Sequence, residues 1–298
     1  MERRDAIDAA GAAALVGFAG MLAINQVVIK LGNGGFQPVF MAALRSVGAL
    51  AVLMIWMRAR GVALDLRVGT RRAGLLLGVL FAFEFVCLFW ALDHTSVARA
   101  SILFYSMPVI LSLAAHFVLP GERLTLRRLV GLVLAMAGVV LVLAERQGGQ
   151  ASIAGDVAAL AAACGWAGIA LCVRLTGISR VAPEMQLWWQ LAVSSVLLMA
   201  AAPLFGELLR APGPWHFAGL LYQIFAVASF GFLFWFFLMS IYPASGVASF
   251  SFLTPVLSVG LGWALLGERI GANVIVALIL VAIGIVLINR KRGVRPPT

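Results

Sequence analysis

The chain has little charge. Only 11% of its 298 residues are Asp, Glu, Lys or Arg, against 63% hydrophobic, and the mean hydropathy is +1.04. That balance excludes a soluble globular domain of this length, which needs far more polar surface to cover its core. Cysteine is scarce too: Cys87, Cys164 and Cys172 fall inside apolar runs without CxxC spacing, which fits buried thiols rather than a disulfide framework or metal site. The three histidines, His94, His116 and His216, are scattered without metal-ligand spacing, so neither a metal nor a cofactor is expected. G-x-x-x-x-G-K-[ST] is missing, which removes ATP as the direct energy source. G-x-S-x-G and H-E-x-x-H are missing as well, and Asp156, which follows Ala154-Gly155, has no convincing catalytic partner, so an intramembrane enzyme is the weaker class.

What is present is a succession of apolar runs of roughly 20 residues, the length that carries a helix across about 30 Å of hydrocarbon. Ten can be marked, at about 10–31, 37–57, 73–93, 97–119, 126–145, 153–174, 184–204, 215–240, 245–266 and 271–289. The expected fold is an all-α integral membrane protein of ten transmembrane helices. The first run is too long, and its Glu2, Asp5 and Asp8 flank too acidic, for a cleaved signal peptide. A net charge of +10 raises the question of nucleic acid, but the basic residues follow topology instead. With the N-terminus in the cytoplasm, sixteen basic residues fall in inside connections, five in outside connections, and Arg45 lies within a span. Such a bias obeys the positive-inside rule and places both termini in the cytoplasm of a cell whose plasma (inner) membrane holds the protein. The expected partners are the lipid bilayer and a small-molecule substrate, with no nucleic acid.

The sequence also repeats itself. "PVILSLAAHFVLPGER" at 108–123 returns as "PVLSVGLGWALLGER" at 255–269, and Gly138-Val139-Val140-Leu141 returns as Gly284-Ile285-Val286-Leu287. Upstream, Val28-Ile29-Lys30-Leu31-Gly32 resembles Val173-Arg174-Leu175-Thr176-Gly177, and Pro38 and Pro183 each precede a polar intramembrane residue, Arg45 and Gln190. The halves are 1–149 and 150–298. Five spans per half is an odd number, so the second half enters the membrane in the opposite sense, and two inverted five-helix repeats form a cavity that can open to either side. Pro108 and Pro255 occupy equivalent places inside spans and donate no hydrogen bond to the carbonyls of Phe104 and Ser251. They mark kinks that either border the cavity or serve packing alone. The two Gly-Glu-Arg segments, Glu122-Arg123 and Glu268-Arg269, are expected to be membrane-edge turns with a local ion pair, and Thr125 to cap span five.

Candidate site residues are the polar groups that these apolar spans tolerate. Glu84 is the one carboxylate deep inside a span, where a charge costs several kcal/mol unless paired or hydrated. It is either a functional group or the ion-pair partner of Arg45; if the two line water separately, one can meet an ammonium and the other a carboxylate. Ser101, Tyr105, Pro108, Ser112 and His116 share one helix face in span four, and Gln186, Gln190 and Ser194 do so in span seven, with Trp189 at its border. Asn25, Gln26 and Gln223 are further amides, whose alternative role is interhelical hydrogen bonding. Among the aromatics, Trp90, Trp166, Trp188, Trp189, Trp235 and "FGFLFWFF" at 230–237 offer stacking surfaces or lipid contacts, with Trp166 and Trp189 the favoured pair. Trp56, Trp215 and Trp263 read as anchors or packing.

The ten-span layout, the two halves, the Pro-Val…Gly-Glu-Arg segment closing each half and "TSVARASILFYSMPV" before the first of them resemble the drug/metabolite transporter superfamily, in its two-domain EamA branch. The resemblance covers nearly the whole chain. Phe83-Glu84, Tyr105…Pro108, Trp166 and "FLTPVLS" at 252–258 are similar to the YddG-type exporters of aromatic amino acids, although Phe104-Tyr105-Ser106-Met107-Pro108 lacks the tryptophan expected beside the proline. The resemblance implies a secondary transporter, not an enzyme, acting as a monomer or weak homodimer. Its cargo would be an aromatic or hydrophobic amino acid or a similar amphipathic metabolite, contacted by Asn25, Arg45, Glu84, Ser101, Tyr105, Trp166, Trp189, Gln190 and Gln223. A cationic drug-like compound or another metabolite is the alternative cargo.

Overall fold

The computed structural model describes residues 7–64, 66, 68–119, 124–144, 152–242 and 250–289, and among them every regular element is helical apart from one bridge between Phe36 and Leu209. The helices are α1 (Ala9–Gly32), α2 (Pro38–Ala59), α3 (Val68–His94), α4 (Val97–Phe104), α5 (Met107–Val118), α6 (Leu126–Ala144), α7 (Ile153–Leu175) and α8 (Pro183–Ala201). They continue with α9 (Pro214–Tyr222), a π-helical segment (Gln223–Gly231), α10 (Phe232–Ile241), α11 (Leu253–Leu266) and α12 (Ala272–Asn289). Among the described residues, eight stretches are long and apolar enough to cross a membrane, from Ala9–Gly32 to Pro214–Trp235. They coincide with the first eight expected runs. The last two runs hold shorter apolar helices, α11 and α12; the expected start of the ninth, at 245–249, and the Glu122-Arg123 turn lie outside the described residues.

Helix starts follow local chemistry. Asp8, Ser96 and Ser152 cap α1, α4 and α7 by accepting N–H groups of the first turn, and Thr125 accepts the Arg128 N–H as expected. Pro38, Pro183 and Pro214 open α2, α8 and α9, where a missing N–H costs nothing. Both repeat prolines stand at interruptions. Span four breaks at Tyr105-Ser106, with Pro108 in the first turn of α5, and a 3₁₀ turn at Phe250–Phe252 precedes α11 and its Pro255.

Helices in a bilayer gain little from hiding apolar surface and instead approach closely through small residues. α6 and α12 pack along each other in this way: a Cβ on Gly131 would stand 2.8 Å from the Gly284 carbonyl oxygen, and one on Gly138 would stand 2.7 Å from that of Ala277. Elsewhere α3 packs on α7 and α8, α2 on α8 and the π segment, α1 on α11, and α4 on both α7 and α11. The helices α1, α2, α3, α4, α7 and α11 thereby surround a buried interior around the middle of α3.

Candidate substrate site

Glu84 lies in the middle of α3 and is 6% exposed. Gly165 brings α7 close to it: a Cβ there would sit 3.2 Å from both Cα and Cβ of Glu84, so a larger residue would have to push α3 back by a few tenths of an ångström. The next residue, Trp166, stacks on Phe104 (centroids 5.0 Å apart, planes at 20°) and meets Tyr105 edge-on at 5.8 Å. Tyr105 is buried at the break between α4 and α5, and its hydroxyl is near Gln26 of α1 and Thr254 of α11, with Glu84 within electrostatic range. One carboxylate, three aromatic rings, an amide and a hydroxyl are thus gathered from α1, α3, α4, α7 and α11.

Arg45, from α2, is 4% exposed and within electrostatic range of Glu84. The two form no ion pair, unlike Arg99–Asp156 or Asp93 with Arg210 and His94. Its guanidinium carbon sits 4.2 Å from the Phe85 ring centroid, a cation–π contact. Several polar atoms around this interior have no hydrogen-bond partner in the protein: Asn25 Oδ1, Gln26 Oε1, Arg45 Nε, Ser101 Oγ, Ser258 Oγ and both amide atoms of Gln223. Gln223 begins the π segment, whose Ile224 rests on Gly48 of α2, while Gly219 rests on Val28 of α1; this holds Gln223 between α1 and α2 at the level of Asn25 and Arg45.

Trp189 and Gln190 stand apart from this group. The Trp189 ring covers Gly74 of α3, ten residues before Glu84 and therefore about 15 Å along the axis. Gln190 bonds back to the Gln186 carbonyl at 3.3 Å, Gln186 to that of Val181, and Ser194 to Ser46 of α2 at 3.1 Å. Other tryptophans have protein partners: Trp90 stacks on His94, Trp235 on Phe18, and Trp188 meets the Met54 sulfur. A surface depression lined by Met54, Met57, Arg58, Val62 and Leu64 lies at the far end of α2, away from Glu84.

At the end of the bundle opposite Asp8, the distal end, most buried polar groups are paired, Asn33 Oδ1 being an exception while its amide nitrogen donates to the Phe89 carbonyl. Arg99 and Asp156, both buried, form an ion pair at 2.5 Å, and Thr95 donates to the same carboxylate at 3.0 Å. Lys30 donates to the Leu92 and Thr95 carbonyls, and Arg210 to Asp93 and the Asn33 carbonyl. Gly267, at φ 64°, turns the chain at the end of α11, and buried Glu268 then accepts the N–H groups of Val97 at 2.6 Å and Ala98 at 3.0 Å. The local ion pair expected with Arg269 is not formed; the carboxylate instead satisfies buried first-turn N–H groups at the positive N-terminal end of α4. The role of Glu268, the Arg99–Asp156 pair and the position of Thr254 were not foreseen. A signal existed for the pair, since Arg99 and Asp156 each stand a few residues inside the start of an apolar run, at matching depth.

The EamA-like transporter family profile matches residues 9–144 and again 153–290. The chain belongs to that family. Membership makes it a multi-pass membrane transporter rather than an enzyme. An uncharacterized transporter of Bacillus subtilis, YoaV, is similar at 23% identity over 87% of this chain and 89% of its own. A probable amino-acid metabolite efflux pump of Salmonella typhimurium is 28% identical over 88% and 89%. A solved crystal structure superposes with a TM-score of 0.65 at 26% identity, covering 93% of this EamA chain and 95% of its own.

Proposed function

We propose that this EamA protein exports aromatic or other hydrophobic amino acids, or similar small amphipathic metabolites, across the inner (plasma) membrane by alternating access. The observation that carries the reading is Glu84: a buried carboxylate without an ion pair, set beside Trp166, Tyr105 and Phe104. A fixed anion next to aromatic faces suits a substrate that bears an ammonium and an apolar ring. The amino-acid metabolite efflux pump among its relatives points the same way. Trp189 and Gln190, off the Glu84 cluster, would then line the passage toward the N-terminal end rather than grip the cargo.

The reading includes ten crossings in two inverted halves, 1–149 and 150–298, with both termini cytoplasmic and a monomer or weak homodimer as the working unit. Its support is a reciprocal contact. Gly131 faces Gly284 while Gly138 faces Ala277; Ala277 and Gly284 are the positions 146 residues after Gly131 and Gly138, so each copy presents the same two positions to the other. Such exchange is the mark of a two-fold axis. On this reading the distal end lies outside, the bonds of Glu268 and Asp156 support a state closed to the exterior, and the interruptions at Pro108 and Pro255 support bending of spans four and nine as the halves rock.

A second reading, efflux of an organic cation, is favoured by the same acid-plus-aromatic set. Proteoliposomes without ATP, loaded with labelled phenylalanine, tyrosine or a lipophilic amine, separate the two: net flux of the amino acids is expected, and flux of the amine alone would give the site to cations.

A further inference from the structure

We propose that Arg45 and Gln223 form a carboxylate subsite facing an ammonium subsite at Glu84, so that the cargo must carry both charges as a zwitterion. The inference rests on the transport reading above and goes beyond it by assigning each end of the substrate to named atoms.

Arg45 is a full charge held away from water, and such a group persists inside a membrane protein when it faces a cavity or a counter-charge. Glu84 is the available counter-charge, and the two do not meet. The Phe85 ring at 4.2 Å occupies the flat face of the guanidinium, while the in-plane Nε–H has no acceptor in the protein. That in-plane edge is what a carboxylate engages, through two parallel N–H···O bonds.

Gln223 supplies the second observation independently. Its side chain is fully buried, and neither its amide nitrogen nor its amide oxygen has a partner. It also opens a nine-residue π-helical segment, a widened turn that is rare and concentrates at functional positions. The unpartnered atoms sort by chemistry. Donors, Arg45 Nε and Gln223 Nε2, suit a carboxylate; acceptors, Asn25 Oδ1 and Gln26 Oε1, together with the Glu84 carboxylate, suit an ammonium, and Gln223 Oε1, also an acceptor, is left to the ammonium side or to water. An α-amino acid placed between them separates the two fixed charges and satisfies both sets, with its side chain directed toward Trp166 and Tyr105.

The test measures binding to the purified protein of three probes of one shape: phenylalanine, phenethylamine with the ammonium only, and 3-phenylpropionate with the carboxylate only. The parent is expected to bind phenylalanine more tightly than either half-probe. Arg45→Gln should weaken phenylalanine and 3-phenylpropionate at least tenfold and leave phenethylamine within about threefold. Gln223→Leu, which does not remove a buried charge and keeps the side-chain bulk, should show the same selectivity with a smaller loss. Equal weakening of all three probes, or unchanged 3-phenylpropionate binding, overturns the subsite. A parent that binds phenethylamine alone overturns it while keeping a transporter of cations, and a parent that binds none of the three overturns both this inference and the amino-acid reading.

Discussion

The distal end and the middle of the bundle treat buried polar groups in opposite ways. At the distal end Arg99, Asp156, Lys30 and Glu268 each find a partner, and most of those bonds join residues far apart in the chain. In the middle, Asn25, Gln26, Arg45, Ser101, Gln223 and Ser258 hold unsatisfied atoms within the same low-dielectric interior. A buried polar group without a partner costs about 1–3 kcal/mol. A cluster of them is therefore retained for something other than stability. The difference teaches where the fold spends its cross-helix bonds: they concentrate at one end, whereas unpartnered atoms concentrate in the layer proposed to receive cargo.

The largest effect should come from breaking the paired end. Asp156→Asn leaves Arg99 as a buried charge with a neutral neighbour, and loss of about 3–5 kcal/mol is expected in detergent unfolding. Arg99→Met combined with Asp156→Leu should recover most of it, since no charge is then stranded; if the double variant is as unstable as the single, the pair is not what holds that end. Glu268→Ala should cost less, about 1–3 kcal/mol, by orphaning the Val97 and Ala98 N–H groups. It should also raise the reactivity of a Ser101→Cys probe, in a background without the three native cysteines, toward a membrane-impermeant thiol reagent applied from outside.

Middle-layer changes should barely move stability. Gln223→Leu removes two unsatisfied atoms and is expected to unfold at the parental temperature or above, by up to about 1 kcal/mol. A strongly destabilised Gln223→Leu would show that this amide is bonded after all. Pro108→Ala and Pro255→Ala each restore a donor to a helix interruption, so transport should change by severalfold while the unfolding temperature holds or rises slightly. Variants that transport at the parental rate would assign both prolines to packing.

How much of this was legible beforehand depended on the period of the signal. Apolar runs of membrane-spanning length, the repeated Pro-Val…Gly-Glu-Arg segment and the lone Glu84 are local features, and a chain read linearly displays them. The first eight expected runs followed as membrane-length helices among the described residues, and Trp166, beside Glu84, packs against Tyr105. Partner identity is not local. Glu268 reads as a turn residue before Arg269, yet its bonds go to Val97 and Ala98, 171 and 170 positions away. Trp189 borders the inward face of Gln186, Gln190 and Ser194, but helical phase does not encode height, and Gly74 receives its ring well below Glu84. Thr254 gave no signal beyond its place beside Pro255.

The central claim is that Glu84 is left unpaired for the substrate, and Glu84→Gln tests it most directly. The variant keeps shape and an acceptor while losing charge and proton exchange. Transport of labelled phenylalanine into sealed vesicles should be followed across a pH range, alongside its binding and the unfolding temperature. The account predicts an unfolding temperature at or above the parental one, phenylalanine binding weakened at least tenfold at every pH, and a smaller loss for 3-phenylpropionate, which lacks the amino group. Retained binding and downhill exchange with loss only of pH-driven accumulation would make Glu84 a proton carrier instead. A variant that binds and transports phenylalanine like the parent at all pH values would contradict the account and leave Glu84 a structural residue beside Arg45.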